Sequence, residues 1–233
     1  MRTLLIWCLV ALPCAAADLT AMVWGGGATR ADAEASLASF EARRKTWAGA
    51  LALSKGFPQI VESSAVAGMK PGFVVVLLGY CSDAEAPATL ELLKDFDTSI
   101  YARPVQGGAA SCPKLGADFS RTATRVVKTK EGELRGLFLN GTGGLHLFLQ
   151  LHSRAGVLLE SAAFTPAQLQ GEGGLCSASV AAEGLVVALE CDVPRGCPSV
   201  GHVSSELRYR MKDGKLESKE VVTSRDMPPC SGE

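Results

Sequence analysis

Apolar and polar positions follow two different rhythms along this chain, and the change falls near residue 106. In the first half a short strand, a glycine turn, a Ser/Thr capping box, a helix and a second strand occur twice. The first copy runs Ala21-Met22-Val23-Trp24-Gly25, then Thr29-x-x-Asp32 at the head of an apolar-periodic helix, then a strand from Gln59 to Ser63. The second runs Val74 to Gly79, then Ser82-x-x-Glu85, a shorter helix, and a strand from Ser99 to Val105. In each box the hydroxyl accepts from the third helical N–H and the carboxylate reaches back to the cap, so both mark helix starts. Ala33, Leu37, Phe40, Trp47 and Leu51 form one stripe, which predicts that this face packs on a sheet, while Arg43, Arg44 and Lys45 read as a solvated face. Pro58 and Pro104 fall in the second and fourth strands, where only an edge position tolerates them. The run from Phe73 to Leu78 is apolar throughout, so both faces of that strand should meet other groups.

The second half is punctuated by Glu131-Gly132, Ala155-Gly156, Glu183-Gly184 and Asp213-Gly214, turn signals that each separate strand-like runs. Val203, Ser205, Leu207, Tyr209 and Met211 alternate with Ser204, Glu206, Arg208 and Arg210, giving one mostly apolar and one charged face. The expected class is therefore α+β. Residues 18–106 should form a ferredoxin-like βαββαβ sandwich with its helices on one face. Residues 107–116, opening with a small and uncharged stretch, should form a linker. Residues 117–233 should form an all-β antiparallel meander of roughly eight strands, curved or closed into a barrel so that its edges are protected.

Residues 1–17 change where this fold is expected to work. Arg2, the apolar Leu4–Leu12 and the small Ala15-Ala16-Ala17 read as a secretory signal peptide, which implies export to the periplasm or the extracellular space. The apolar core is too short to span a bilayer. A lipid anchor on Cys14 is disfavoured because Pro13 stands where a small residue is normal. Without the signal, 22 basic residues face 24 acidic ones, which offers no electrostatic case for nucleic acid. Six cysteines remain, and an even count in an exported chain predicts disulfides. A two-residue turn at Glu183-Gly184 sets Cys176 opposite Cys191 at about 5.5 Å between Cα atoms, nominally at a hydrogen-bonded pair. By elimination Cys197 then pairs with Cys230 and Cys81 with Cys112. Nothing in the spacing predicts a metal site.

Met22-Val23-Trp24-Gly25 followed by Thr29-x-x-Asp32-Ala33-Glu34-Ala35, and Val76-Leu77-Leu78-Gly79 followed by Ser82-Asp83-Ala84-Glu85, resemble the two half-repeats of a SPOR (sporulation-related repeat) domain. The resemblance covers about residues 20–105. It implies the βαββαβ fold and binding of peptidoglycan glycan strands on the sheet face away from the helices. On that face Trp24, Gln59, Tyr80, Tyr101 and Arg103 are the candidate ligand-binding residues, since rings stack on the apolar faces of sugars and polar groups orient them. A packing role is the competing reading for Trp24.

No nucleophile elbow, zinc-protease helix or phosphate-loop motif is present, so no catalytic residue and no cofactor are assigned. His146 and His152 share a strand face about 20 Å apart, too far to hold one metal, and with His202 they read as surface residues. The expected function is that of an exported, non-enzymatic envelope binding protein whose partner is peptidoglycan glycan or an envelope protein. A secreted protein-interaction or inhibitor module is the alternative, and a hydrolase with an interdomain site is a weaker one.

Overall fold

Thr29 caps the first helix as its sequence requires. Its side chain accepts from Asp32 N–H at 3.2 Å, and the Asp32 carboxylate accepts from Thr29 N–H at 2.9 Å. The Thr29 hydroxyl and backbone together hold the Asp32 carboxyl below its ordinary range. The second box behaves differently. Ser82 Oγ donates to Glu85 at 2.7 Å and closes a turn, and the helix begins only at Ala86, with Pro87 in its first turn where a missing N–H costs nothing.

The computed structural model describes residues 18–169, 175–193 and 200–228. The elements run β1 (Asp18–Gly27), α1 (Arg30–Thr46), β2 (Leu51–Ala52), β3 (Gln59–Glu62), β4 (Val74–Ser82), α2 (Ala86–Phe96), β5 (Tyr101–Gln106), β6 (Lys114–Leu115), β7 (Ser120–Lys128), β8 (Gly132–Gly141), β9 (Gly144–Ser153), β10 (Leu158–Phe164), β11 (Leu175–Val180), β12 (Val186–Val193), β13 (Gly201–Lys212) and β14 (Lys215–Asp226). All strand pairing is antiparallel, in a first sheet ordered β3-β4-β1-β5, a second ordered β10-β9-β8-β7, a third ordered β11-β12-β13-β14, and the small pair β2-β6.

This corrects the expected class. Among the described residues the chain is mostly β, with 53% strand, 17% helix and two α-helices, and its strands are divided among four separate antiparallel sheets. It is not a ferredoxin-like βαββαβ unit followed by one continuous meander or barrel. Part of the physical reason lies in β9. Leu145, Leu147, Leu149 and Leu151 alternate with His146, Phe148, Gln150 and His152, and all eight are buried. The leucines pack with Val187, Leu189 and Tyr209 of the third sheet and with Leu185 just before β12. On the opposite side Phe148 joins Leu137 and Leu139 of β8 against Leu93 and Phe96 of α2. A sheet buried on both faces must lie between two layers and cannot curl into a barrel of its own. Pro166 then starts a short 3-10 turn at Pro166–Gln168, just beyond the end of β10.

The expected linker is integrated into the structure. Lys114–Leu115 pairs with Leu51–Ala52, Ser111 exchanges hydrogen bonds with Tyr80, and Cys112 is disulfide-bonded to Cys81. Cys176 is bonded to Cys191, its cross-strand partner, at a Cα separation of 4.0 Å. The hairpin is closed by Ala181 N–H donating to Val186 C=O, a wider loop than the two-residue turn. Counting alternate pairs back from that bond puts the cysteines at a non-hydrogen-bonded pair, which explains their closer approach. Cys197, Cys230, Cys14 and the segment 1–17 expected to be a signal peptide lie outside the described residues. Two disulfides fit an oxidising, non-cytoplasmic compartment. Among the described residues no helix is long and apolar enough to cross a membrane.

Candidate functional site

The first sheet has two unlike faces. Met22, Trp24, Val76 and Leu78 point to the helices, whereas Leu19, Ala21, Val23, Val75, Leu77 and Val105 point away from them. Register shifts between Met22 and Val23 and between Val23 and Gly25 leave Leu78 of β4 and Trp24 of β1 as extra residues. The bulge at Leu78 resets the alternation, so Tyr80 turns to the face away from the helices although strict period two would set it with Leu78.

Four of the five candidate residues share that face. Gln59, Leu77, Val23 and Tyr101 make one row across β3, β4, β1 and β5, and Tyr80, Ala21 and Arg103 make a second. Trp24 is not among them. The residue is 6% exposed and its ring packs edge-on to Phe40 at 5.1 Å and Trp47 at 6.2 Å, inside an aromatic chain that continues through Phe96 to Phe148. The remaining four do not converge either. Gln59 and Tyr101 stand three strand spacings apart, about 14 Å. Tyr80 is covered by Phe57 at 5.8 Å, and burial pushes its hydroxyl pKa up.

The face is roofed by the protein's own chain. Between β3 and β4 the segment 63–73 doubles back across the sheet, with Val66 and Met69 packed on its apolar residues and the Ala67 carbonyl accepting from Gln106 N–H at 2.9 Å. Gly68 makes the crossing close to β5: a Cβ there would lie 3.1 Å from the Pro104 carbonyl oxygen, and its φ is +97°. Beneath this strap Val23 and Leu77 are fully buried.

What the strap leaves open is a cavity of about 320 Å³. Val23 and Val75 make its apolar floor, and Ser63 and Met69 its back. Tyr101 and Phe73 wall it, each with a cation over its ring: the Arg103 guanidinium 4.8 Å from the Tyr101 centroid and Lys70 Nζ 6.0 Å from that of Phe73. Phe73 is 44% exposed, an unusual solvent-facing aromatic. The sequence singled out Tyr101 and Arg103 but not Phe73, Lys70, Ser63 or Met69. Phe73 read as the start of an apolar strand, and a loop that folds back over a sheet leaves no periodic signal.

A second polar region lies where α2 meets the second sheet. Asp95, 2% exposed, is held by Arg121 at 2.7 Å, Arg135 at 3.5 Å and the Thr124 hydroxyl at 3.0 Å. Burial outweighs those contacts and raises its pKa. Gln150 donates to the Asp95 carbonyl at 2.6 Å and accepts from Thr98 N–H at 3.3 Å. Asp97 pairs with Arg43 of α1. The expectation of surface histidines is corrected here for two of the three. His146 is 5% exposed and stacks on Phe148, and His152 is 4% exposed with Nε2 at 2.8 Å from Thr98 Oγ1. Their strand is covered on both faces, which a sequence alternating Leu with His and Gln does not announce. His202 is exposed and bonds Asp192 at 2.7 Å.

Comparison with protein-family models, with curated proteins and with solved structures finds no match.

Proposed function

We propose that this is an exported, non-enzymatic binding protein of the cell envelope, and that it holds a carboxylate-bearing glycan, such as a peptidoglycan strand, in the cavity beside Tyr101. The observation that carries this reading is the pairing of two aromatic walls, each with a cation over it, above an apolar floor. Aromatic rings take the C–H face of a sugar, while Arg103 and Lys70 suit a carboxylate on its rim. The strap argues against a flat protein partner on this face, because Val23 and Leu77 have no exposed surface to offer one. Export rests on the signal-like leader and is supported by the disulfides.

Co-sedimentation of the mature protein with purified sacculi tests the proposal. Retention at micromolar protein, lost in Tyr101→Ala and Phe73→Ala, is the expected result. Absence of retention, or retention indifferent to both substitutions, overturns it.

A further inference from the structure

Two adjoining cavities, of about 500 and 360 Å³, share Thr98 and Gly156 in their walls. Together they form a groove that runs from α1 and the loop after α2 to the β7–β8 and β9–β10 turns, away from the strap. Its far end is lined by Ser36, Ser39 and Ser99, and its near end by Lys128, Thr129 and Arg154.

The charges in this groove are unevenly committed. Arg43 is taken up by Asp97, and Glu133, the carboxylate at the near end, is engaged by Arg135 at 3.4 Å. Among the described residues Lys128 has no ion-pair partner and Arg154 meets only the carbonyl of Lys130. The two uncommitted charges are therefore both positive, and they stand at one end of a hydroxyl-lined channel.

His152 supplies an independent observation. It lines the same groove, is 96% buried by its 4% exposure, and its Nδ1 has no hydrogen-bond partner while Nε2 faces Thr98 Oγ1. Two arrangements fit that contact. In one, Thr98 O–H donates to a bare Nε2 and a buried Nδ1–H goes unused. In the other, Nε2–H donates to Thr98, whose own O–H is then released to donate into the groove.

We infer that this groove is a second ligand site, for a small polyhydroxylated anion: a sugar bearing a carboxylate or a phosphate. Lys128 and Arg154 take the anionic group, the serine and threonine hydroxyls take the polyol, and Thr98 donates to the ligand once His152 holds its proton on Nε2. Binding thus fixes the imidazole as the Nε2–H tautomer and leaves Nδ1 bare.

The test is NMR of the mature chain, following the ring nitrogens of His152 during titration with glucuronate, glucose 6-phosphate and glucose. The expected result is a saturable change with at least one anion, the two anions telling carboxylate from phosphate, and affinity for glucose lower by about tenfold or more. The bound state should carry its proton on Nε2. Lys128 and Arg154 are exposed, so a K128A/R154A double variant should fold and lose about tenfold in affinity, whereas Arg103→Ala should change nothing. Equal affinity for glucose, a bound Nδ1–H tautomer, an unaffected double variant, or no saturation by either anion overturns the inference.

Discussion

The Asp95 carboxylate of α2 lies 2.7 Å from the Arg121 guanidinium of β7, and only 2% of the aspartate side chain reaches solvent. This contact and its companion to Arg135 join helix to sheet through charge, beside the apolar contacts of Leu93 and Phe96. Removing one member strands the others, so Asp95→Ala should destabilise the protein by about 3 kcal/mol, measured by chemical denaturation.

The same residue sets an unusual pH dependence. Burial raises the Asp95 pKa above the ordinary aspartate value of 3.8, so the folded state holds this proton longer than the unfolded chain does. Its contribution to stability is present below that value and is lost as pH rises through the folded pKa. The stability advantage of wild type over Asp95→Asn should therefore be greater near pH 4 than near pH 7. Thermal unfolding of both proteins across that range decides it, and an advantage that grows with pH would contradict the account.

His152 works in the opposite direction. Burial is the largest influence and lowers its pKa, with Arg135 and Arg43 adding to the effect and Glu133 and Asp97 opposing it. The unfolded chain therefore binds the proton more readily, and stability should fall as pH drops below about 6.5. His152→Gln should flatten the melting-temperature profile below that pH. An unchanged profile would mean that the imidazole does not titrate between the two states.

Trp24 and Tyr101 separate packing from recognition on opposite faces of one sheet. Trp24→Ala empties part of an aromatic core and should cost about 3–5 kcal/mol. Tyr101→Ala removes a half-exposed wall of the cavity and should leave stability within about 1 kcal/mol of wild type while abolishing retention on sacculi. Binding lost only in step with folding, in both variants, would deny Tyr101 a role of its own.

How far the sequence foretold these features follows from the range of the forces involved. Local signals were legible: the Thr29–Asp32 box, the stripe through Ala33 and Phe40, and the Cys176–Cys191 pairing are set by neighbours in sequence or by one hairpin. Division of the strands among separate sheets was not, because it depends on what covers each face of β9 more than on the alternation within it. The candidate site was legible in part for a similar reason. Tyr101 and Arg103 lie two apart on an edge strand and announce a shared face, but Phe73 and Lys70 reach the cavity only through the fold of segment 63–73, and Trp24 looks the same in sequence whichever face it takes.

The two described disulfides should not be equal in their effect. Cross-linking restricts the unfolded chain more when the enclosed loop is longer, by an amount that grows with the logarithm of its length. Cys176 and Cys191 are separated by 15 residues and Cys81 and Cys112 by 31, so the double alanine replacements should cost about 3 and about 4 kcal/mol respectively. The Cys81–Cys112 bond does more than close a loop, since it secures the segment whose Lys114–Leu115 pairs with Leu51–Ala52. Its loss should also raise amide exchange at Leu115 and Gly116, the latter donating to the Ala50 carbonyl at 2.9 Å, while the Cys176/Cys191 replacement leaves those amides protected. Hydrogen exchange on both variants under oxidising conditions reads this out, and equal protection in the two would show that the β2-β6 pair holds without its disulfide.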